Sequence, residues 1–225
     1  MRDYVPVTGM ILETFPAGDY DRRLVMLTTD RGKITVFARG ARRTNSKMMA
    51  ATNPFCFGRF KLYEGKNAYN LIDADIDNYF EELREDFMGA YLGMYFLEYA
   101  SYYGRENNDD SEMLKLLYQA IRAIIKESLD NRLIRAVFEL KILAVNGEFP
   151  GIPDDRRLNE ATVYTIEHII NSPVNSVFNF RVSDRVLAEL TALSNDYRKR
   201  YTDHHFRSLD TLDSLNDPDA FTQIT

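Results

Sequence analysis

A single cysteine, Cys56, stands in 225 residues, which excludes an internal disulfide and any multi-cysteine zinc site. It lies in an apolar run, where a small buried core residue is the ordinary outcome and a nucleophile the exceptional one. No apolar stretch approaches the length of a membrane span, and the opening Met1-Arg2-Asp3-Tyr4-Val5-Pro6 lacks the apolar run of a signal peptide. The expectation is a cytoplasmic protein with no membrane partner. With no low-complexity tract, 45% hydrophobic residues and 28% charged ones, the chain has enough apolar content for one or two globular domains.

The most informative absence is of negative charge. Between Arg31 and Tyr63 there is no Asp or Glu, yet Arg31, Lys33, Arg39, Arg42, Arg43, Lys47, Arg59 and Lys61 all fall there, in a chain of formal net charge -6. A cationic stretch inside an acidic protein is a local electrostatic footprint of the kind a polyanion such as nucleic acid requires. Residues 1–79 carry 12 basic and 9 acidic side chains, hence +3, which leaves -9 for the remainder. The two parts are therefore expected to meet different partners.

The first eighty or so residues read as strands. Val5 to Phe15 is β-rich and ends at Pro16-Ala17-Gly18-Asp19, and Arg22 to Thr29 ends at the turn signal Asp30-Arg31-Gly32. From Lys33 to Arg39 alternation puts Ile34, Val36 and Ala38 on a core face. In the run Phe55 to Tyr63 the same rule separates Cys56, Gly58, Phe60 and Leu62 from Phe55, Phe57, Arg59, Lys61 and Tyr63. Glu64-Gly65-Lys66-Asn67 then turns the chain into a fifth run, Ala68 to Ile76. Five strands with a polar excursion between the third and fourth suit a small closed barrel, and the OB-fold is the natural candidate.

After Tyr79 the period changes from two to about 3.6. Helices are predicted over Glu81 to Tyr103, Ser111 to Lys126, Asn131 to Asn146, Glu160 to Asn171 and Ser183 to Tyr201, with a loop from Gly147 to Asn159. The third is apolar nearly all round, which marks it as the buried centre of a bundle. The expected organisation is an OB-type nucleic-acid-binding domain over 1–79, a helical domain over 80–215 and a frayed tail over 216–225, an α+β chain.

The chemistry concentrates in the cationic stretch. Phe57, Tyr63, Arg59 and Lys61 alternate along one strand face, and Phe37 lies between Lys33 and Arg39 on another; π-faces for bases flanked by charges for phosphates are how single strands are held without sequence readout. The competing explanation is that these aromatics pack beneath the helical domain and the charges are merely solvated. Arg39-Gly40-Ala41-Arg42-Arg43-Thr44-Asn45-Ser46-Lys47 leaves the third strand as a polar segment whose mobile arginines can reach a phosphate backbone. The nucleic-acid-binding candidates are thus Arg31, Lys33, Phe37, Arg39, Arg42, Arg43, Lys47, Phe57, Arg59, Lys61 and Tyr63.

Thr8-Gly9-Met10-Ile11-Leu12, Asp21-Arg22 before Leu27-Thr28, Gly32, Ala38-Arg39-Gly40-Ala41-Arg42-Arg43, Ser46 and Pro54-Phe55 follow in order and spacing the N-terminal pattern of the bacterial RecO family of recombination mediators. The resemblance continues weakly through Phe138-Glu139-Leu140 and Arg207-Ser208-Leu209. It implies an OB-fold followed by a helical domain, binding of single- and double-stranded DNA, strand annealing, and help in placing RecA on DNA coated by single-strand binding protein (SSB). RecR and the acidic C-terminal tail of SSB are the implied partners, and a cytoplasmic, nucleoid-associated location follows. Many members carry a four-cysteine zinc module after the third helix; between Gly147 and Val182 this chain has no cysteine and only His168, so no zinc or other cofactor is implied. Adjacent His204 and His205 point apart and do not supply a site. Where the family often has basic residues before Phe138, this chain has Ala136-Val137. Arg132 and Arg135, three apart beside Leu133 and Val137, are the candidate residues for an acidic tail.

Enzymatic readings fare worse. Six residues separate Gly58 from Gly65 where a phosphate loop needs four, and the segment is a strand. Asp73, Asp75 and Asp77 share a face of the fifth strand as nuclease ligands would, but an acidic edge that discourages strand pairing explains them more cheaply. No nucleophile signature is present. The chain is expected to be a non-enzymatic DNA-binding mediator of DNA repair; the alternative is a protein-interaction module whose basic stretch docks acidic partner tails.

Overall fold

A computed structural model describes residues 4–153 and 158–215. The expectations for the tail over 216–225 and for positions 154–157 of the loop lie outside the described residues. Five strands form in the expected places: β1 Val5–Ala17, β2 Asp21–Thr28, β3 Gly32–Ala38, β4 Phe57–Glu64 and β5 Tyr69–Asn78. They close into a barrel in the order β1-β2-β3-β5-β4. All neighbours are antiparallel except β3 and β5, which meet in parallel at Val36 opposite Tyr69 and Phe37 opposite Asn70. Alternation decides what faces inward. Ile34, Val36, Ala38, Phe60 and Leu62 are buried in one cluster with Ile11, Leu24, Met26 and Cys56, and a barrel of this size is filled by such side chains.

One correction concerns the start of β4. Phe55 does not belong to β4: it sits in the preceding turn with φ 73° and donates its N–H to the Ile11 carbonyl at 3.0 Å. Strand β5 meets β3 only at Tyr69 and Asn70, so its acidic stretch from Asp73 to Asp77 is paired with β4 alone.

The helices are α1 Met48–Ala51, α2 Phe87–Tyr103, α3 Ser111–Ile125, α4 Asn131–Val145, α5 Glu160–Asn171, α6 Asp184–Tyr201 and α7 Arg207–Leu215. The helix predicted from Glu81 is broken: Glu81–Arg84 is a 3-10 turn, and α2 restarts behind Asp86, whose Oδ1 accepts the Gly89 N–H at 2.9 Å. That is the geometry of an N-cap, which a carboxylate provides well. Helices α1 and α7 were not anticipated, being one turn and nine residues long.

The chain divides into two compact units. One holds the barrel through Glu81 together with Leu97–Leu114, the other Glu82–Phe96 and everything from Lys115 onward. In the first, the segment after α2 is stitched to the β2–β3 turn: Lys33 N–H donates to the Arg105 carbonyl at 3.0 Å, Asn107 N–H to Arg31 at 2.9 Å and Asp110 N–H to Thr29 at 3.2 Å. Gly32 makes this possible. Its φ is +61°, and a Cβ there would stand 1.9 Å from the Arg105 carbonyl oxygen. In the second unit α4 is the centre, as its apolar sequence required: Leu133, Ile134, Val137, Phe138, Leu140 and Ile142 are buried, and the Phe138 ring stacks on Phe96 at 4.1 Å.

Candidate nucleic-acid interface

The segment from Arg39 to Lys47 is built turn by turn against the β1–β2 end of the barrel. Ala41 is buried in the barrel core and acts as its plug. Gly40, with φ +66°, donates its N–H to Asp21 Oδ1 at 2.7 Å, and Arg42 N–H reaches the Tyr20 carbonyl at 2.8 Å. Two further turns follow, Arg43 N–H to Gly40 at 3.1 Å and Ser46 N–H to Arg43 at 2.9 Å, and lead into α1. On the far side Arg22 secures the return: its Nη1 donates to the Met49 carbonyl at 2.8 Å, Thr52 Oγ1 at 2.7 Å and Asn53 Oδ1 at 3.0 Å. The backbone that carries these arginines is thus pinned at both ends.

Pinning the backbone leaves the cations outside. Arg39, Arg42, Arg43 and Lys47 are exposed, and among the described residues no carboxylate pairs with any of them. Arg42 Nη1 touches only the Gly18 carbonyl at 3.2 Å, and the Arg43 guanidinium lies 5.4 Å from the centre of the Tyr20 ring. Burial and the neighbouring charge of Arg42 both push the Arg22 pKa down from its ordinary value. An anion placed against this face would relieve that repulsion.

The other cations of the stretch are committed elsewhere. Strand β5 sets Asp75 opposite Arg59 and Asp73 opposite Lys61, giving ion pairs of 2.6 and 3.8 Å. The expectation of eight uncompensated charges is corrected here, because the neutralising carboxylates come from beyond residue 63. Phe57 and Tyr63 flank this row, half-buried, and Lys61 Nζ lies 5.8 Å from the Tyr4 ring centre. In the turn before β3, Arg31 Nη1 donates to Tyr69 Oη at 3.3 Å, and on β3 Lys33 Nζ donates to the Ser101 carbonyl at 2.5 Å. Burial, then the nearby Arg105, lowers the Lys33 pKa.

Phe37 is half-buried and opens a row the sequence reading missed. It stands opposite Arg23, which stands opposite Phe15, and the Arg23 guanidinium covers the Phe15 ring at 4.5 Å. Counting register outward from the turn at Gly18 would have revealed it. This row borders a cleft of about 490 Å3 that also takes in Lys33, Arg105, Glu13 and Glu106, so its charge is mixed.

Arg132 and Arg135 do not form one surface. Arg132, 68% exposed, is held to Asp130 at 2.6 Å. Arg135, 15% exposed, is bonded to Glu139 at 2.9 Å, Asn195 at 2.8 Å and Asp213 at 3.2 Å. Burial opposes its charge, but Glu139 and the other neighbours outweigh it and raise its pKa. Leu133 and Val137 are buried and offer no open groove beside them. Among the described residues no three His, Cys, Asp or Glu side chains converge as a metal set, and no helix is long and apolar enough to cross a membrane.

A closed five-stranded barrel of OB type that carries an unpaired cationic loop, followed by a helical bundle, defines the class of protein. The chain matches the family described as Recombination protein O N terminal over residues 1–80 and Recombination protein O C terminal over residues 84–154. It belongs to the RecO family, a family of DNA repair and recombination proteins. Its relatives include the DNA repair protein RecO of Acetivibrio thermocellus, 23% identical over 95% of this chain and 98% of that protein. That of Alkaliphilus metalliredigens is 30% identical over 66% of this chain and 60% of its own length. That of Desulforudis audaxviator is 33% identical over 64% and 57% respectively.

Proposed function

We propose that this chain binds single- and double-stranded DNA, promotes annealing of complementary strands, and with RecR helps place RecA on DNA coated by SSB. The observation that carries the reading is the group Arg39, Arg42, Arg43 and Lys47: four exposed cations on a fixed backbone with no carboxylate partner among the described residues. Fixed cations that nothing neutralises release condensed counterions when phosphates replace them, which is the main source of sequence-independent affinity. The row Phe15, Arg23 and Phe37 supplies faces on which bases can stack. The protein acts by binding rather than by catalysis, in the cytoplasm at the nucleoid, and the acidic tail of SSB is its second protein partner beside RecR.

The test is fluorescence anisotropy with single-stranded oligonucleotides of graded length at several salt concentrations. A DNA groove gains affinity as the oligonucleotide grows to fill it, and log K falls with log[salt] by roughly 0.7 per phosphate contact. Affinity independent of length and salt would instead support a peptide-docking module.

A further inference from the structure

The cleft of about 490 Å3 beside Phe15, Arg23 and Phe37 lies wholly within the barrel unit. Strands β1, β2 and β3 form its floor, where Glu13 stands opposite Val25 and Val25 opposite Thr35, one step along from the Phe15 row. Ser101, in the last turn of α2, and the residues from Gly104 to Glu106 form its wall. Ser101 holds two opposite charges here. Its Oγ donates to Glu13 Oε1 at 3.0 Å, and its carbonyl accepts from Lys33 Nζ at 2.5 Å. Among the described residues Glu13 and Lys33 make no ion pair with each other, and Glu13 Oε2 has no hydrogen-bond partner.

A carboxylate keeps acceptor sites after one such bond, and an ammonium keeps donors. Side by side they fit a planar edge that carries two N–H groups next to a carbonyl. Guanine has that edge, N1–H and the N2 amino group beside O6. Adenine has a bare nitrogen at N1, and cytosine and thymine have a carbonyl where guanine carries its N2 amino group. Unstacked bases are recognised through these edges while their faces lie on aromatic rings or guanidinium planes. The Arg23 guanidinium, spread over the Phe15 ring at 4.5 Å, is such a plane. Small-ligand sites typically measure about 300–1,000 Å3, so a base and its sugar can be accommodated. The charges of the lining, Arg23, Lys33 and Arg105 against Glu13 and Glu106, nearly cancel, which suits a neutral base better than a charged peptide. Ala38 and Arg39 follow Phe37, so the stacking row adjoins the root of the cationic loop, where the phosphates of the same strand would lie.

We propose that this cleft holds a guanine base of single-stranded DNA, with Glu13 accepting its N1–H and N2–H and Lys33 donating to O6. The proposal rests on the reading of the chain as a DNA-binding protein, and adds a base preference to an interface whose affinity otherwise comes from phosphates.

Fluorescence anisotropy tests it with an oligo(dT) strand and the same strand carrying one central dG, dA or dI. The last two stack as purines but lack the full edge, dI for want of the N2 amino group. The dG strand should bind at least about five-fold tighter than the other three, the low end for a bidentate base contact. Glu13→Gln, which keeps an acceptor for Ser101 but loses the carboxylate, should bring the four affinities together, with circular dichroism showing an intact fold. Equal affinities of the parent chain for all four strands, with salt-dependent binding retained, overturn the proposal and leave the DNA-binding reading standing. A dG preference that survives in Glu13→Gln overturns it too. If no strand binds, the DNA-binding reading falls and dGMP decides the use of the cleft. A melting temperature raised by dGMP but not by dAMP, and no longer raised in Glu13→Gln, then assigns the guanine site to a free nucleotide; no rise overturns the site altogether.

Discussion

Asp21 accepts the Gly40 N–H at 2.7 Å, tying the root of the cationic loop to the turn between β1 and β2. A carboxylate is a stronger acceptor than a carbonyl, and here it fixes a residue whose positive φ already narrows the choice of side chain. Asp21→Ala should therefore lower stability by about 1–2 kcal/mol in urea unfolding and weaken DNA binding, even though it removes a negative charge from the site. Tighter DNA binding by this variant would show that charge alone, and not the loop's placement, governs the interface.

The two cationic regions of the barrel should behave differently. Arg39→Glu with Arg42→Glu and Arg43→Glu should nearly abolish DNA binding and flatten the salt slope by roughly 0.7 for each lost phosphate contact. The charge-neutral pair change Arg59→Gln with Asp75→Asn should leave affinity within two-fold, because an exposed ion pair contributes only about 0–1 kcal/mol and is already internally compensated. Anisotropy titrations decide both.

Gly32→Ala places a Cβ against the Arg105 carbonyl at a positive φ. The strain should cost at least about 2–3 kcal/mol, read as a lower urea midpoint. An unchanged midpoint would mean that the segment from Gly104 to Asp110 moves away freely.

Arg135→Ala strips Glu139, 2% exposed, of its closest cation and should destabilise the helical unit by about 3–5 kcal/mol. Arg132→Ala should cost under about 1 kcal/mol. If Arg135→Ala weakens binding of an SSB tail peptide while calorimetry shows wild-type stability, Arg135 contacts the peptide directly.

Asp110 is buried, its Oδ1 accepting from Asn108 at 2.7 Å and its Oδ2 without a partner. Burial first of all raises its pKa above the ordinary aspartate value. A raised carboxyl pKa means the folded state holds the proton more tightly than the unfolded one; this contribution is complete below the ordinary value and is lost as pH rises through the folded value. Asp110→Asn should accordingly gain melting temperature relative to wild type as pH goes from about 3 to 7. A pH-independent difference would contradict it.

The barrel was legible because a period of two states which side chain faces which way before any neighbour is known. Ile34, Val36 and Ala38 needed no partner strand to declare an inward face. Helices α5 and α6 were legible for the parallel reason, a period near 3.6; that Asn159 and Ser183 cap them is seen in the structure. The break before α2 was not, since Asp86 reads as one more polar position until its carboxylate is seen on the Gly89 amide.

What the sequence by itself determined was the alternation of faces, the helical periods and the concentration of positive charge between Arg31 and Tyr63. Only the tertiary structure decided which of those charges stand unpaired. Arg59 and Lys61 meet Asp75 and Asp73 because β5 returns beside β4; Arg135 meets Asp213 because a helix 78 residues later packs against α4. Among the described residues Arg42 and Arg43 meet no carboxylate, because their turns face Gly18 and Tyr20. Coulomb energy depends on distance through space, and separation along the chain does not record it.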